Sequence, residues 1–575
     1  MTNAIASPNA ALLTRMIEAG QGQTPADLVI RDVGLLDVIT GTVTTTDIAI
    51  VGDRIVGTHA RYEGKEEIDG SGRFAVPGFI DTHLHIESSL VTPFEFDRCV
   101  LPHGVTTVLC DPHEIANVLG AAGIRYFLDC AERTIMDIRV NLSSCVPATP
   151  FETAGAQLEI GDLEPFRNHP KVVGLAEMMN FPGVLNADPG IIAKLVAFQD
   201  GHIDGHAPLL RGQGLNGYLA AGIRTDHEAT SAAEAREKLA KGMAILIREG
   251  SVSKDLDALA EILDAQSSSF VALCTDDRNP LDIDEEGHLD SSIRRLIAKG
   301  CPLHHVYRAA SHSAARIFGL RDRGLLGPGW RADIALLDSL EDCRVSDVIA
   351  AGRLVTPALF DSRGTVAPVG LASMQAKPVT PEVFVTAPRP GQNRVPVIGV
   401  KPGLILTFRE EAALAHTEAG LQPDLDADVI KVAVIERHGK NGNIGRSFVT
   451  GFGLRRGAIA SSVGHDSHNI TVVGADDRDM AVAVNRLIEM GGGFAVADRG
   501  AVTAELALPI AGLMSPESFE SVAGALHRLR DAAKALGCVL PEPFLQVAFL
   551  ALPVIPHLKM SDRGLFDVDK FDFVS

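Results

Sequence analysis

The sequence predicts an α/β protein: a (β/α)8 TIM-type barrel with a discontinuous β-sandwich and an additional C-terminal α+β domain. Three observations predict it. Eight apolar runs alternate with helical patterns through the middle of the chain. Two β-rich segments with similar glycine punctuation flank that stretch, and the sequence changes character after about residue 389.

At 575 residues the chain is long enough for two or three domains. Hydrophobic residues make up 46% of it, but there is one Trp and only four Tyr, so the core must be aliphatic. Buried parallel strands have that composition.

Residues 26–75 read as short strands, DLVIRDVGLLD and TTDIAIVGDRIVGT, followed by the acidic turn KEEIDGSG. LLGPGWRADIALLD and VSDVIAAGRLV repeat the style far downstream. Residues 1–76 and 325–388 would then close one sandwich from both ends; two unrelated small sheets are the alternative. The barrel occupies 77–324, with candidate strands at 74–81, 105–111, 139–146, 171–177, 203–206, 222–227, 244–248 and 270–276. SAAEAREKLAKG and KDLDALAEILDA are helical stretches between them, and eight βα units in roughly 250 residues match a closed barrel. The C-terminal domain, 389–575, opens on the linker PRPGQNRVP and continues with strand-like DVIKVAVIERHG and NITVVGADD and helix-like RDMAVAVNRLIEMGG. GGGFAVADRG lacks GxGxxG or GK[ST] and reads as a hairpin, not a phosphate loop.

A net charge of −21 argues against a nucleic-acid partner and favours a small-molecule substrate, although acidity also simply solvates a large protein. Eight dispersed cysteines without a CxxC pair read as reduced thiols of a cytoplasmic protein. The first 22 residues lack the basic and apolar regions of a signal peptide. No uninterrupted apolar run reaches the ~18 residues of a membrane span.

The strongest chemical signal is PGFIDTHLHIESS. Side chains two apart in an extended segment point the same way, so His83 and His85 enter one cavity at the C-terminal mouth of strand 1, where barrel active sites lie. Later strands end in GLAE (Glu177), DGHAP (His206), TDHE (His227) and CTDDR (Asp276). Each alone is an ordinary polar residue; together, four His and two carboxylates at one rim describe a two-metal site. His83, His85 and Asp276 would hold one ion, His206 and His227 the second, and Glu177 would bridge them. Mixed imidazole and carboxylate ligation suits Mn, Fe or Zn and disfavours Mg or Ca.

The HxH of strand 1, one His on each of strands 5 and 6 and the Asp of strand 8 resemble the amidohydrolase superfamily over about residues 26–390. Many members bridge their metals with a carboxylated Lys on strand 4; Glu177 in the corresponding region argues against the hydantoinase and dihydroorotase branches. PGFIDTHLHIESSLVTP, DPHEIAN, GLAEMMNFPGV, CTDDR, RHGKNGNIGRSFV and GHDSHNI narrow the resemblance to the bacterial adenine deaminases of that superfamily, over nearly the whole chain.

The resemblance implies hydrolysis of adenine to hypoxanthine and ammonia by a metal-activated hydroxide. It implies two divalent ions, manganese first with iron or zinc as alternatives, and a homo-oligomer, a dimer. Asp276 lies where the family places a ligand that also carries the proton. His113 and Glu114, in DPHE, would line the same mouth and protonate a ring nitrogen, or else merely start the following helix. Glu87 and Ser88 are candidate substrate contacts, with a loop or helix cap as the alternative. A related hydrolase of another purine, a cyclic amide or an N-acyl substrate would share every ligand; a catalytically dead barrel would have lost one. The zinc deaminase class, H-x-E with P-C-x-x-C, is excluded because no CxxC follows His85. His465, Asp466, His468 and His438 admit three readings: an accessory metal site, a lid over the mouth, or a capping turn, the last preferred.

Overall fold

The computed structural model describes residues 9–388, 394–404, 406–418 and 420–574; residues 389–393 of the predicted linker lie outside them. The fold is a mixed α/β arrangement of TIM-barrel type with further sheets.

Eight buried strands run parallel in chain order: β1 (Phe79–Leu84), β2 (Val105–Cys110), β3 (Asp137–Leu142), β4 (Val172–Met178), β5 (His202–Gly205), β6 (Thr225–Asp226), β7 (Ala244–Arg248) and β8 (Val271–Cys274). They pair as β1 to β5 and β6 to β8. The Arg224 amide donates to the Ile203 carbonyl at 3.2 Å, joining the two sets. The series returns to its start where Leu84 bridges Asp276 and Thr82 Oγ1 donates to the Leu273 carbonyl at 2.8 Å. Gly174, in the GLAE motif, has a reason to be glycine: a Cβ there would overlap the His202 carbonyl of the adjacent β5.

Several predicted boundaries move. The run 74–81 is two strands, because Gly78 separates Phe74–Pro77 from β1. Phe74–Pro77 belongs instead to an eight-stranded sheet, parallel to Ala26–Leu36 and antiparallel to Ile334–Ser339. That one sheet therefore takes strands from both ends of the αβ stretch. The predicted acidic turn KEEIDGSG is largely a strand, Gly64–Asp69, whose exposed Lys65, Glu67 and Asp69 mark a solvated sheet face. The predicted run 222–227 contracts to Thr225–Asp226.

The C-terminal region carries a second eight-stranded sheet, covered by the helices Asp477–Met490 and Phe519–Ala535. Asp476 caps the first of these by accepting the Asp479 amide at 3.0 Å, and Gly491 ends it at φ 78°. GGGFAVADRG forms the strand Gly493–Asp498 and its tight turn into Ala501–Ala507, close to the predicted hairpin. Among the described residues no helix is long and apolar enough to cross a membrane. All eight cysteines are free thiols.

One buried charge ties the outer helices to the strands. Lys238, fully buried on the helix Ala232–Ala240, donates to Asp226 Oδ2 and Glu234 Oε1, both at 2.7 Å, and to the Ala207 carbonyl at 2.8 Å. Lys238→Met strands two buried carboxylates. It is expected to cost about 3–5 kcal/mol in urea unfolding, whereas a surface pair is worth ~1 kcal/mol or less.

Candidate active site

All six sequence-predicted ligands meet at the C-terminal mouth of the eight strands. Strand alternation sends His83 and His85 the same way, and both are buried. Glu177 lies in β4, His206 and His227 directly follow β5 and β6, and Asp276 follows β8. Glu177 sits at the centre. Its Oε1 is 3.7 Å from His83 Nε2 and 3.4 Å from His85 Nε2, while its Oε2 is 2.7 Å from His206 Nδ1 and 3.3 Å from His227 Nε2. Asp276 Oδ1 lies 3.2 Å from His85 Nε2 and 3.7 Å from His83 Nε2.

The backbone fixes Asp276 over β1. Its amide donates to the His83 carbonyl at 2.9 Å, and its own carbonyl accepts from the His85 amide at 3.2 Å. This pairing holds Asp276 at φ 57°, a left-handed conformation that Asp tolerates better than most residues.

The donor set fits divalent metal. His83 Nδ1 donates to Asp204 Oδ2 at 3.0 Å and His85 Nδ1 to the Asp111 carbonyl at 2.9 Å, which fixes both tautomers and leaves both Nε2 atoms facing inward. His83 Nε2 and His227 Nδ1 are buried without a hydrogen-bond partner, a costly state for atoms with no further role. Burial works against charge on Glu177, yet hydrogen bonds from His206, His227 and His85 hold it well below the usual carboxylate range. Asp276 is held low in the same way, with His85 and Arg248 overcoming burial. It can therefore act as an anionic ligand.

The other predicted residues divide. His113 and Glu114 do start a helix, His113–Leu119, but both side chains also turn into the mouth. His113 Nδ1 is 3.6 Å from Glu177 Oε1 and 3.1 Å from Asp111 Oδ2. Glu87 and Ser88 lie in the short 3-10 helix Ile86–Ser89. Glu87 Oε1 accepts the Ile115 amide at 3.0 Å, as a helix cap does, and burial pushes its carboxyl up to about 7. The Ser88 hydroxyl donates to Asp277.

Residues 404–572 match the family described as adenine deaminase C-terminal domain, and residues 74–355 match the amidohydrolase family. The chain is 64% identical to adenine deaminase 1 of Rhizobium meliloti (strain 1021) over 559 residues, covering 97% of this chain and 99% of that one. It is 63% identical to adenine deaminase of Brucella abortus (strain 2308) over 564 residues, covering 98% of this chain and 97% of that one. The chain belongs to the adenine deaminase family of amidohydrolases.

Around this adenine deaminase site stand residues that sequence reasoning missed. Asp111 groups with His85, His113 and Glu177, and Glu228 groups with His206 and His227. Arg248, ending β7, reaches Asp276 Oδ2 at 3.0 Å and Asp255 Oδ2 at 2.9 Å and also binds Glu228. Asp204 was signalled by its position two residues before His206 in the same extended run, and Arg248 by being a charge at the end of an apolar strand.

The loop between the strands Ala458–Ser461 and Ile470–Gly474 descends on the mouth. His465 Nδ1 is 2.6 Å from Glu114 Oε1, His468 Nε2 contacts Glu114 Oε2, and Asp466 Oδ1 lies 3.5 Å from His113 Nε2. His438 stands behind this loop, with its Nε2 2.7 Å from the Ser467 carbonyl. A cavity lined by Glu87, Ser88 and Glu114 on one side and His465, His468 and Phe544 on the other adjoins the ligand cluster.

Proposed function

We propose that the protein hydrolyses adenine to hypoxanthine and ammonia, with His83, His85 and Asp276 holding one divalent ion, His206 and His227 a second, and Glu177 bridging the two. The observation that carries this is the split of Glu177, one oxygen facing His83 and His85, the other His206 and His227. Manganese is the first choice of metal, with iron or zinc as alternatives. When bound, such ions supply hydroxide at neutral pH, because the pKa of coordinated water falls from 15.7 to roughly 7. Asp276 takes up the proton and delivers it to ring N1 or the departing amine, restrained by the backbone pairing to β1 and by Arg248. His113 and Glu114 polarise the ring from the β2 side. Glu87 and Ser88 complete the cavity wall through Ile115 and Asp277.

This reading takes β1–β8 as a closed (β/α)8 barrel, residues 1–76 plus 325–388 as a β-sandwich domain, and 389–575 as a further domain over the mouth. It also makes the protein a cytoplasmic dimer with neither nucleic acid nor membrane as partner, which sedimentation and cell fractionation test.

Steady-state assay of ammonia release after reconstitution with manganese tests the chemistry, with adenine, adenosine and guanine side by side. Adenine is expected to react, with adenosine at least about 10³-fold poorer in kcat/KM, because a site closed over a free base has no room for ribose. Comparable values for adenine and adenosine overturn the free-base reading. Ammonia from guanine alone leaves only the family. Elemental analysis of the reconstituted protein should approach two ions per chain, and one ion after full reconstitution removes the binuclear site.

A further inference from the structure

The end of the strands opposite the catalytic mouth carries a cluster of positive charge without acidic partners. Arg224 directly precedes β6 and Phe270 directly precedes β8, so both stand where strands start, whereas the metal ligands stand where strands end. A cavity of about 520 Å³ there is lined by Arg224, Arg308, His312, Arg316, Phe270 and Ile39, a volume within the range of small-ligand sites. Arg308, His312 and Arg316 follow one another at intervals of four along the helical run 303–317, whose middle, Ala309–Ser313, is a π-helical turn. Such turns are rare and recur at functional sites.

Among the described residues no carboxylate forms an ion pair with any of the three arginines, in a chain of net charge −21. Arg308 is held still: its Nε and Nη2 donate to the carbonyls of Val38 and Ile39 at 2.9 and 2.7 Å, and its Nη1 to Ser268 Oγ at 2.9 Å. Arg224 Nη1 donates to the carbonyls of Leu219 and Ile223 at 2.8 and 3.1 Å. These acceptors are neutral, so both charges stay uncompensated, and each guanidinium keeps N–H groups unused. The Arg316 guanidinium has no hydrogen-bond or ion-pair partner among the described residues. Asp37 is the carboxylate whose charge reaches Arg308, but its oxygens are taken by the Thr40 hydroxyl at 2.7 Å and the Ile39 amide at 2.8 Å. His312 registers the imbalance. Burial, with Arg316 and Arg308 adding to it, holds its imidazole below the ordinary range, and its buried Nδ1 has no hydrogen-bond partner. Phe270, 57% exposed, and Ile39, 45% exposed, give the same cavity an open apolar wall.

We propose that this basal cavity binds a small phosphate ester carrying a flat ring, the chemistry of a nucleoside monophosphate. The guanidinium groups of Arg224, Arg308 and Arg316 take the phosphate oxygens, and the ring covers Phe270. Arginine suits the task because its planar fork meets phosphate with two parallel N–H donors. The site is independent of the deaminase reading, since none of its residues belongs to the ligand cluster.

Calorimetric titration of the full-length protein at about 0.15 M salt, with AMP, inorganic phosphate and adenosine as probes, decides it. AMP is expected to bind most tightly, phosphate more weakly for want of the ring, and adenosine more weakly for want of the charge. Losing one charged donor costs about 10- to 10²-fold in affinity, so Arg224→Gln and Arg316→Gln should each weaken AMP and phosphate by that factor. Phe270→Ala should weaken AMP alone, by about 2- to 10-fold. All three variants should keep the wild-type kcat/KM for adenine. AMP affinity that is unchanged in Arg224→Gln and Arg316→Gln overturns the site, as does an absence of AMP binding in the wild type. Adenosine binding as tightly as AMP overturns the role of the charge. Equal affinities for AMP and phosphate, with no effect of Phe270→Ala, overturn the flat ring and leave inorganic phosphate as the ligand.

Discussion

Asp276→Ala is expected to lower kcat for adenine by about 10⁴-fold or more, the largest effect of any single substitution in the site. Asp276 stands in two roles at once. Its Oδ1 faces His85 and His83, as a metal ligand must, and its Oδ2 is held by Arg248 on the far side. Proton transfer by a positioned side chain contributes about 10²–10⁴-fold on its own, and the loss of a ligand adds to that. Asp276→Asn separates the two, because an amide keeps the shape and can still accept from Arg248 but cannot carry the proton. With ion content measured on the same samples, Asp276→Asn should keep a larger share of its metal than Asp276→Ala and remain at least about 10²-fold slow. Activity of either variant within about tenfold of wild type would place the proton on another group, with His113 the nearest alternative.

Glu177→Gln should empty both metal positions together. Removing any histidine weakens one side of the cluster, whereas among the described residues Glu177 alone faces His83 and His85 with one oxygen and His206 and His227 with the other. An amide presents one oxygen and one NH₂, so it satisfies one side and opposes the other. Elemental analysis after dialysis against a mild chelator should find both ions depleted, with kcat at least about 10³-fold down. The wild type under the same dialysis should keep them. Two ions retained in Glu177→Gln would remove Glu177 from the bridge.

Much of this was legible because a barrel puts chemistry where its strands end. His83, His85, Glu177, His206, His227 and Asp276 each lie at or just past the C-terminal end of a strand, and chain order was enough to predict that they share one rim. Asp111 was less visible. It contributes through its carbonyl to His85 and through its carboxylate to His113 and Ser143, and backbone acceptors leave no mark in a sequence. Arg248 is a weaker signal, because a lone arginine after AILI fits a solvated strand end equally well; only the fold shows it surrounded by Glu228, Asp255 and Asp276. The loop 462–469 was visible as a polar, histidine-rich stretch, but its partner Glu114 lies some 350 residues earlier in the chain, a pairing that no local pattern encodes. The split of the run 74–81 has the same origin. Its residues are uncharged up to Asp81, and which neighbour each half pairs with is decided by tertiary contacts.

The sheet that draws strands from both ends also sets a schedule for biosynthesis. Phe74–Pro77 emerges early, yet one of its two neighbours, Ile334–Ser339, is translated roughly 260 residues later. At about 5–20 residues per second that interval is on the order of 13–50 s, during which the nascent sheet keeps an open, hydrogen-bonding edge beside Val76 and Ala75. The eight parallel strands, between Phe79 and Cys274, are all synthesised within this window, so the segment that joins the two halves of the sheet has time to become a folded body before its ends meet. Closure then joins two elements already brought near each other by compact structure rather than the ends of a flexible chain. Truncation anywhere before residue 334 leaves that edge permanently unpaired, and such fragments are expected in the insoluble fraction of the cell.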